Sequence, residues 1–215
     1  MRAALRLRAC SRRALSRALA FGAEQRASAA VEAAPLLPVA LLVLALLVYG
    51  AEGLAIDRKV SLTARTVTDL VTQTTPTSLV QVSAPACAGM GSIMTHSQID
   101  TDLQVASAVL APYSASNMSM VISQVEVSAD GVHATVQWSE PYNGATARPA
   151  NQQLTLPGST GTGQAGNCFV FGEVFYKYSP MQIFLPLSTL TLSGSIYLTP
   201  RQSASIKCSD CATPN

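Results

Sequence analysis

The longest pattern in the chain is an apolar run near its N-terminus. Nineteen residues, 33–51, separate Glu32 from Glu52, and none of them carries a charge at neutral pH. At about 1.5 Å per residue the run spans roughly 28 Å, close to the hydrocarbon core of a bilayer. Beyond Glu52, apolar residues recur every three or four positions as far as Val71, with polar residues between them. The pattern therefore predicts one continuous helix over residues 28–73, with a transmembrane half followed by an amphipathic stalk.

The remaining pattern predicts an α+β head with one short helix and an antiparallel sheet of about four strands. A capping box formed by Thr95 and Gln98 opens the short helix, and Pro112 stops it. The strands are predicted at residues 121–127, 132–138, 168–178 and 190–198. Loops are predicted at residues 76–93, at 140–166 as a long surface excursion, and at 180–186 as a crossing loop with buried apolar side chains. The tail around Cys208 is interpreted as a short edge strand.

The clearest strand signal surrounds Asp130 and Gly131, which lie between two alternating runs. An Asp-Gly pair in this position favours a two-residue hairpin turn of type I′. The pairs that such a turn sets are Val127 with Ala134, Val125 with Val136, and Ser123 with Trp138. This register places the apolar side chains of both strands on one face, whereas a slip by one residue would bury Gln124 and Glu126 instead.

The distribution of charge assigns the two ends of the chain to opposite sides of a membrane. Seven arginines and one glutamate precede Glu32, whereas ten acids and seven bases follow the apolar run. The positive-inside rule then places residues 1–27 in the cytoplasm. These residues form an Arg-rich leader without apolar periodicity, which is typical of an unstructured or surface-bound segment. Residues 28–75 form the membrane helix and stalk, and residues 76–215 form a periplasmic head. A cleaved signal peptide ending near Ala55 is an alternative.

Cysteine usage agrees with export of the head. Cys87, Cys168, Cys208 and Cys211 all follow the apolar run, an even number in a compartment that would be oxidising. Four cysteines allow three connectivities. Of these we favour a local Cys208–Cys211 bond and a Cys87–Cys168 bond across the head.

The candidate chemical motifs do not combine into a catalytic or cofactor site. Residues 161–166 match G-x-G-x-x-G, but a strand follows them and no helix N-terminus is available to hold a pyrophosphate. His96 and His133 share no ligand spacing with the Cys208-x-x-Cys211 pair, and both are expected to be solvated. Basic residues do not cluster outside the leader. We therefore predict no enzyme, cofactor, metal, small-molecule substrate or nucleic-acid partner.

The segment Ala-Ser-Ala-Ala-Val-Glu-Ala-Ala at residues 27–34, followed by Pro-Leu-Leu-Pro, resembles the N-terminus of the TadE/TadG-like pseudopilins. These small membrane proteins accompany type IVb (Flp, tight-adherence) pili. The long helix, the Asp-Gly hairpin and the final alternating strand also look like this family, so the resemblance covers nearly the whole chain. Only the N-terminal motif is specific. The length of the chain is similar to that of the short TadE/TadF kind.

This resemblance implies a processing site and an assembly residue. A prepilin peptidase would cut between Ala27 and Ser28, although Ala27 stands where the family usually has glycine. Glu32 would become the fifth residue of the mature protein and pair with the α-amino group of a neighbouring subunit. The implied protein is a minor pilin-like component with a pilin-like fold, held by a single helix in the bacterial inner membrane. Its partners would be the peptidase, other pilin subunits and the pilus assembly platform. The alternative is a membrane-anchored periplasmic binding domain of unrelated role.

Overall fold

A computed structural model describes residues 2–73, 75, 78–82, 87–158, 164–180 and 189–212, with side chains from residue 31 onward except that of Ala33. The helices are α1 (Arg2–Gln73) and α2 (His96–Ser107), and two 3₁₀ turns lie at Ala108–Leu110 and Ala115–Asn117. The strands are β1 (Ser78–Val82), β2 (Gly89–Ile93), β3 (Met118–Val127), β4 (His133–Tyr142), β5 (Gln153–Thr155), β6 (Cys168–Tyr178), β7 (Leu190–Leu198) and β8 (Ser205–Lys207). The chain divides into two compact units, Met1–Ala51 and Glu52–Asn215.

Helix α1 ends at Gln73, where the sequence predicted its end, but it begins earlier than predicted. Residues 2–27 are helical and not an unstructured leader. Their composition explains this, since they consist mainly of Ala, Leu and Arg, the residues with high intrinsic helix propensity. Pro35 and Pro38 consequently lie in the interior of the helix. Each lacks the N–H that would bond the carbonyl four residues earlier.

The main sheet has five strands, one more than predicted, in the order β5-β4-β3-β6-β7. All of its neighbouring strands are antiparallel. The additional strand, β5, lies within residues 140–166, which were predicted to form only a surface loop. The predicted strands at 168–178 and 190–198 are confirmed as β6 and β7.

A second, three-stranded sheet has the order β1-β2-β8. Strands β1 and β2 pair antiparallel within residues 76–93, so the prediction of a loop there was wrong. Glycines at positions 89 and 91 of β2 hide the strand signal, because glycine is depleted in strands. At Gly91 a β-carbon would lie 2.6 Å from a methyl carbon of Val82, which explains why a larger residue does not fit. Strand β8 pairs parallel to β2 and is the short edge strand expected in the tail.

The β3–β4 hairpin keeps the predicted register near its turn but not beyond it. Val127 pairs with Ala134 and Val125 with Val136, whereas Trp138 pairs with Gln124 and not with Ser123. The difference is a β-bulge at Gln137, which adds one residue to β4 and reverses its alternation. Trp138 is therefore on the opposite face of the sheet from Val136.

The turn itself is not of type I′. A type I′ turn needs a positive φ at both central residues, and here only Gly131, with φ of 66°, adopts one. The N–H of Gly131 donates to the carbonyl of Ser128 at 3.0 Å, and Asp130 accepts from the backbone N–H groups of Val132 and His133 at 2.9 and 3.0 Å. The Asp130 carboxylate thus stabilises a four-residue loop in which Asp130 itself does not adopt a positive φ.

Two apolar cores lie on opposite faces of the five-stranded sheet. The helix-side core joins α1, α2 and the sheet, and its members include Ile56, Val60, Val67, Val71, Ile99, Leu103, Met120, Ile122, Trp138, Val170 and Val174. The far-side core consists of Val125, Val127, Ala134, Val136, Leu156, Phe169 and Phe171. Because both faces are covered, the central strand β3 is buried at all but two of its positions.

The short helix α2 follows the sequence prediction closely. The backbone N–H of Thr95 donates to the Gln98 side chain at 2.9 Å, and the N–H of Gln98 donates to the Thr95 hydroxyl at 3.4 Å, so the capping box is confirmed. Met94 and Ile99, which flank the cap at the spacing of a hydrophobic staple, are both buried. The helix ends at Ser107, and the 3₁₀ turn at Ala108–Leu110 continues the chain towards Pro112.

Candidate functional site

The exposure of α1 changes abruptly along its length. Between residues 31 and 55, no described side chain is buried, and the large apolar side chains from Leu36 to Val48 are each about half to two thirds exposed. This part of α1 is long and apolar enough to cross a membrane, judged by length and composition. An N-terminal helix of this kind is consistent with a membrane anchor or a signal sequence.

From Ile56 onward α1 buries one face, as the sequence predicted. Ile56, Val60, Val67 and Val71 are at most 1% exposed, and they recur at the spacing of a single helical face. The buried threonines of this face, Thr63, Thr68 and Thr72, donate to the carbonyls of Lys59, Ala64 and Asp69 of the same helix at 2.7–2.9 Å. The threonine hydroxyl groups on the buried face are therefore hydrogen-bonded within the helix, and the apolar core around them remains continuous.

Two glycines of the sheet allow α1 to pack closely on it. A β-carbon at Gly172 of β6 would lie 1.9 Å from the hydroxyl oxygen of Thr68, and one at Gly194 of β7 would lie 3.0 Å from the Cα of Ser61. A larger residue would force the Thr68 side chain or the helix backbone to shift at Gly172, and the helix backbone at Ser61 to shift at Gly194. The stalk is therefore an integral layer of the head, not a tether attached to it.

The processing and assembly residues inferred from the resemblance all lie on α1. Glu32 is exposed. Ala27 and Ser28 are in the helical backbone, and their side chains lie outside the described part of the structure. Cleavage between them and the role of Glu32 stay predictions.

A cavity of about 450 Å³ lies where the chain enters the head. The hydroxyl of Tyr178 donates to Glu52 Oε2 at 3.3 Å, and Tyr113, Tyr176 and Lys177 also line the space. A strand at residues 168–178 was predicted, but nothing in its pattern indicated that Tyr178 contacts Glu52.

The four cysteines that follow the apolar run form the two bonds favoured from the sequence. Cys87 is bonded to Cys168 with a Cα–Cα distance of 5.3 Å, and Cys208 to Cys211 with 5.6 Å. The first bond links the segment before β2 to the start of β6. The buried amide of Gln124 donates to Cys87 Sγ at 3.8 Å and accepts from the N–H of Ile206 in β8, so it connects this bond to the tail.

His96 is exposed and His133 is partly exposed, but neither is simply solvated as expected. His96 Nδ1 lies 3.1 Å from Glu140, whose carboxylate is buried and also accepts the N–H of Ala212 at 2.7 Å. His133 Nδ1 lies 2.6 Å from Asp130. The hydrogen bond from the His133 side chain, together with backbone N–H groups, lowers the pKa of Asp130 to about 2. The Glu140 contacts fasten the tail to α2, and the Asp130 contacts tighten the hairpin loop.

The predicted surface excursion is tied to the sheet by an ion pair that the sequence analysis missed. The guanidinium of Arg148 donates to both carboxylate oxygens of Glu173 at 2.5 and 2.7 Å, and it lies 5.4 Å from the centre of the Phe171 ring. Phe171 in turn stacks on Tyr197 at 4.1 Å. The hydrogen bond to Glu173 raises the pKa of Arg148. The first part of the excursion is therefore a structured cover, although residues 159–163 lie outside the described chain.

The described residues hold no group of three His, Cys, Asp or Glu side chains that could bind a metal ion. Comparison of the chain with protein-family models, with curated proteins and with solved structures finds no match in any of the three. The N-terminal motif and the geometry of α1 and the head are therefore the features that bear on function.

Proposed function

We propose that this protein is a minor pilin-like component, a pseudopilin, that helps to assemble a type IVb (Flp) pilus and has no catalytic activity. The apolar half of α1 holds it in the bacterial inner membrane with its N-terminus in the cytoplasm. The unit from Glu52 onward lies in the periplasm. Its partners are a prepilin peptidase, other pilin subunits and the assembly platform.

The observation that carries this proposal is the two-part character of α1. One helix, Arg2–Gln73, leaves its apolar side chains exposed before Glu52 and buries one face in the head after Ile56. A simple anchor needs only about 20 apolar residues and no structural continuation into the domain. In a subunit whose helix also forms a layer of the head, the packing of helices between subunits also determines where each head is placed.

The two disulfide bonds support the periplasmic location of the head. Cys87–Cys168 and Cys208–Cys211 both belong to the unit after Glu52, and such bonds persist in oxidising compartments. The seven leader arginines support a cytoplasmic N-terminus by the positive-inside rule.

Cleavage after Ala27 would have two physical consequences. It would remove all seven arginines that hold the N-terminus in the cytoplasm, and it would create an α-amino group at Ser28 that is mostly protonated at neutral pH. Glu32 of one subunit then pairs with that amine on its neighbour inside the membrane, where a carboxylate needs a partner of opposite charge. The exposed Leu and Val side chains supply the packing between helices.

N-terminal sequencing of the mature protein tests the processing step. A mature protein beginning at Ser28 supports the pseudopilin. One beginning at Met1 favours a membrane-anchored periplasmic binding domain, and one beginning at Ile56 indicates a cleaved signal peptide.

The role of Glu32 is tested by Glu32→Ala. We expect this variant to remain in the membrane fraction but to reduce pilus assembly strongly, with Glu126→Ala in the head as a control that assembles normally. If Glu32→Ala assembles normally, Glu32 has no role in assembly and only marks the membrane boundary.

A further inference from the structure

Strand β7 forms one edge of the five-stranded sheet, and its outer side has no partner among the described residues. Its nine residues, Leu190–Leu198, pair with β6 in an unbroken register. Within the described part of the chain, the backbone groups of β7 that point away from β6 form no hydrogen bond. Proteins usually protect a long edge with a charged residue, a proline or a bulge, and β7 contains none of these. The edge is therefore open to a further strand.

One flank of α1 runs beside this edge. Helix α1 lies directly over β7, since a β-carbon at Gly194 would lie 3.0 Å from the Cα of Ser61. Further along the helix, Asp69 accepts a hydrogen bond at 2.7 Å from Arg201, which follows β7 in the chain. The side of α1 that carries Asp69 therefore faces the β7 edge of the sheet.

This flank alternates apolar and cationic side chains. The residues that precede Asp69 on it, at a spacing of three or four positions, are Leu54, Arg58, Leu62 and Arg65. All four are exposed, and the two leucines are 65% and 48% exposed. Neither arginine forms an ion pair with an acid in the described part of the chain. Along roughly 16 Å of helix, the flank offers two apolar contacts and two unpaired cations.

We infer that the β7 edge and this flank together bind an extended segment of a different protein, whose residues facing α1 are alternately apolar and acidic. The backbone of the segment adds a sixth strand to the sheet. Alternate residues of a strand recur about every 6.6 Å, and residues four apart on a helix recur about every 6 Å. Apolar side chains of the segment therefore reach Leu54 and Leu62, and its carboxylates reach Arg58 and Arg65.

A second copy of this chain fits the edge but not the flank. The order of apolar and hydroxyl side chains in β7 is symmetric about Gly194, so two β7 strands would match in an antiparallel pair. The two-fold axis of that pair is perpendicular to the sheet and reverses the direction of α1 in the second copy. Two copies anchored in one membrane through α1 cannot adopt this arrangement, so the exclusion of a second copy rests on the proposed function. Strand β7 also has no acid to pair with Arg58 and Arg65.

Fluorescence anisotropy of a labelled peptide, added to the full chain in detergent, tests this inference. The probe is the peptide Thr-Val-Thr-Glu-Thr-Val-Thr-Glu-Thr with both ends blocked, which presents valine and glutamate alternately on one face when it is extended. We expect it to bind about fivefold to twentyfold more tightly than the same peptide with glutamine in place of glutamate. This is the factor for two partly exposed ion pairs.

Replacing both arginines, Arg58→Gln with Arg65→Gln, should remove the difference between the two peptides. The matched control is Lys177→Gln with Lys207→Gln, which removes two cations elsewhere in the head and should retain the difference. The fluorescence of Trp138, the only tryptophan of the chain, reports whether each variant is folded. An unchanged difference in the folded arginine variant would overturn the site.

Methylation of alternate backbone nitrogens of the peptide tests whether it binds as a strand. The N–H groups of neighbouring residues in a strand point to opposite edges, and only one edge of the peptide faces β7. Methylating two threonine nitrogens and methylating two of the nitrogens between them should therefore have unequal effects. One change should weaken binding by about tenfold, the factor for two lost hydrogen bonds, and the other should leave it nearly unchanged. Equal effects, or no binding of the unmethylated acidic peptide, would refute strand addition.

The peptide measurement involves neither a membrane nor pilus assembly, so the two proposals fail in different ways. If the chain binds the peptide but alkaline carbonate releases it from membranes, the site is supported and the anchoring is wrong. An anchored chain that does not bind the peptide overturns the site alone. A dimer of the full chain that the peptide dissociates would show that a second copy occupies the edge, and it would overturn the choice of partner.

Discussion

Replacing Gly172 by alanine tests how closely α1 packs on the five-stranded sheet. The new β-carbon would lie 1.9 Å from the hydroxyl oxygen of Thr68, 3.2 Å from the Thr68 Cβ and 3.4 Å from the carbonyl oxygen of Ala64. Real β-carbons essentially never approach another heavy atom to less than 3.0 Å, so Thr68 or the helix backbone has to move. Rotation of the Thr68 side chain would break its 2.7 Å hydrogen bond to Ala64.

The expected cost follows from the two opposing effects of the substitution. Overpacking a core by one methyl group costs about 1–3 kcal/mol. Alanine recovers about 0.5–1 kcal/mol relative to glycine inside a regular element, because the unfolded chain loses less conformational freedom. We therefore expect a net loss of about 1–2 kcal/mol, a large part of the roughly 5–15 kcal/mol by which a domain is stable.

Denaturant unfolding of the full chain in detergent, followed by the fluorescence of Trp138, measures this loss. Trp138 is the only tryptophan and is fully buried in the helix-side core, so its emission reports the packing between α1 and the sheet. Gly50→Ala is the control, because a β-carbon there has nothing within 4 Å. It should not lower the unfolding midpoint.

Combining Gly172→Ala with Thr68→Ala provides the stricter test. Removing the Thr68 hydroxyl leaves only the 3.2 Å and 3.4 Å contacts, so the double variant should lose less stability than the sum of the single ones. Contacting residues typically couple by about 0.5–3 kcal/mol. Additive effects, or a wild-type midpoint for Gly172→Ala, would refute the close packing.

Two further predictions concern the head. Folding lowers the pKa of Asp130 from 3.8 to about 2, so the ionised carboxylate stabilises the fold above pH 4 and this contribution is lost as the pH falls towards 2. In Asp130→Asn the unfolding midpoint should therefore change less with pH between 4 and 2 than in the wild type. The same pH dependence in both proteins would contradict the hairpin contacts. In the loop-entropy relation, the Cys87–Cys168 bond, which spans 81 residues, stabilises by about 4.5 kcal/mol, and the Cys208–Cys211 bond, which spans 3, by about 1.6 kcal/mol. Replacing both cysteines of a bond by serine should therefore lower the free energy of unfolding more for Cys87–Cys168 than for Cys208–Cys211. A larger loss of stability for the Cys208–Cys211 pair would show that the tail contacts dominate.

Local patterns in the sequence determined the elements whose stabilising contacts lie close together along the chain. The buried stripe of α1 after Ile56, its end at Gln73 and the capping box of Thr95 and Gln98 were all predicted correctly. Each depends on residues three or four positions apart, and that spacing is visible in a single sequence.

Tertiary structure decided the features whose partners are distant in the sequence. Strand β2 is glycine-rich and strand β5 has only three residues, so neither signals itself, and both form because a neighbouring strand offers hydrogen bonds. The pairing of Arg148 with Glu173 and of His96 with Glu140 was also decided by tertiary structure, because the sequence around each residue does not indicate its partner.

The bulge at Gln137 shows most clearly where sequence reasoning ends. The alternating pattern placed Trp138 beside Val136 on one face, since nothing local indicates an extra residue. Only the assembled head offers the buried carbonyl of Ile206, to which the Trp138 indole donates at 2.5 Å, and a core large enough for the ring. A buried N–H needs such an acceptor, and that acceptor lies 68 positions away in the chain.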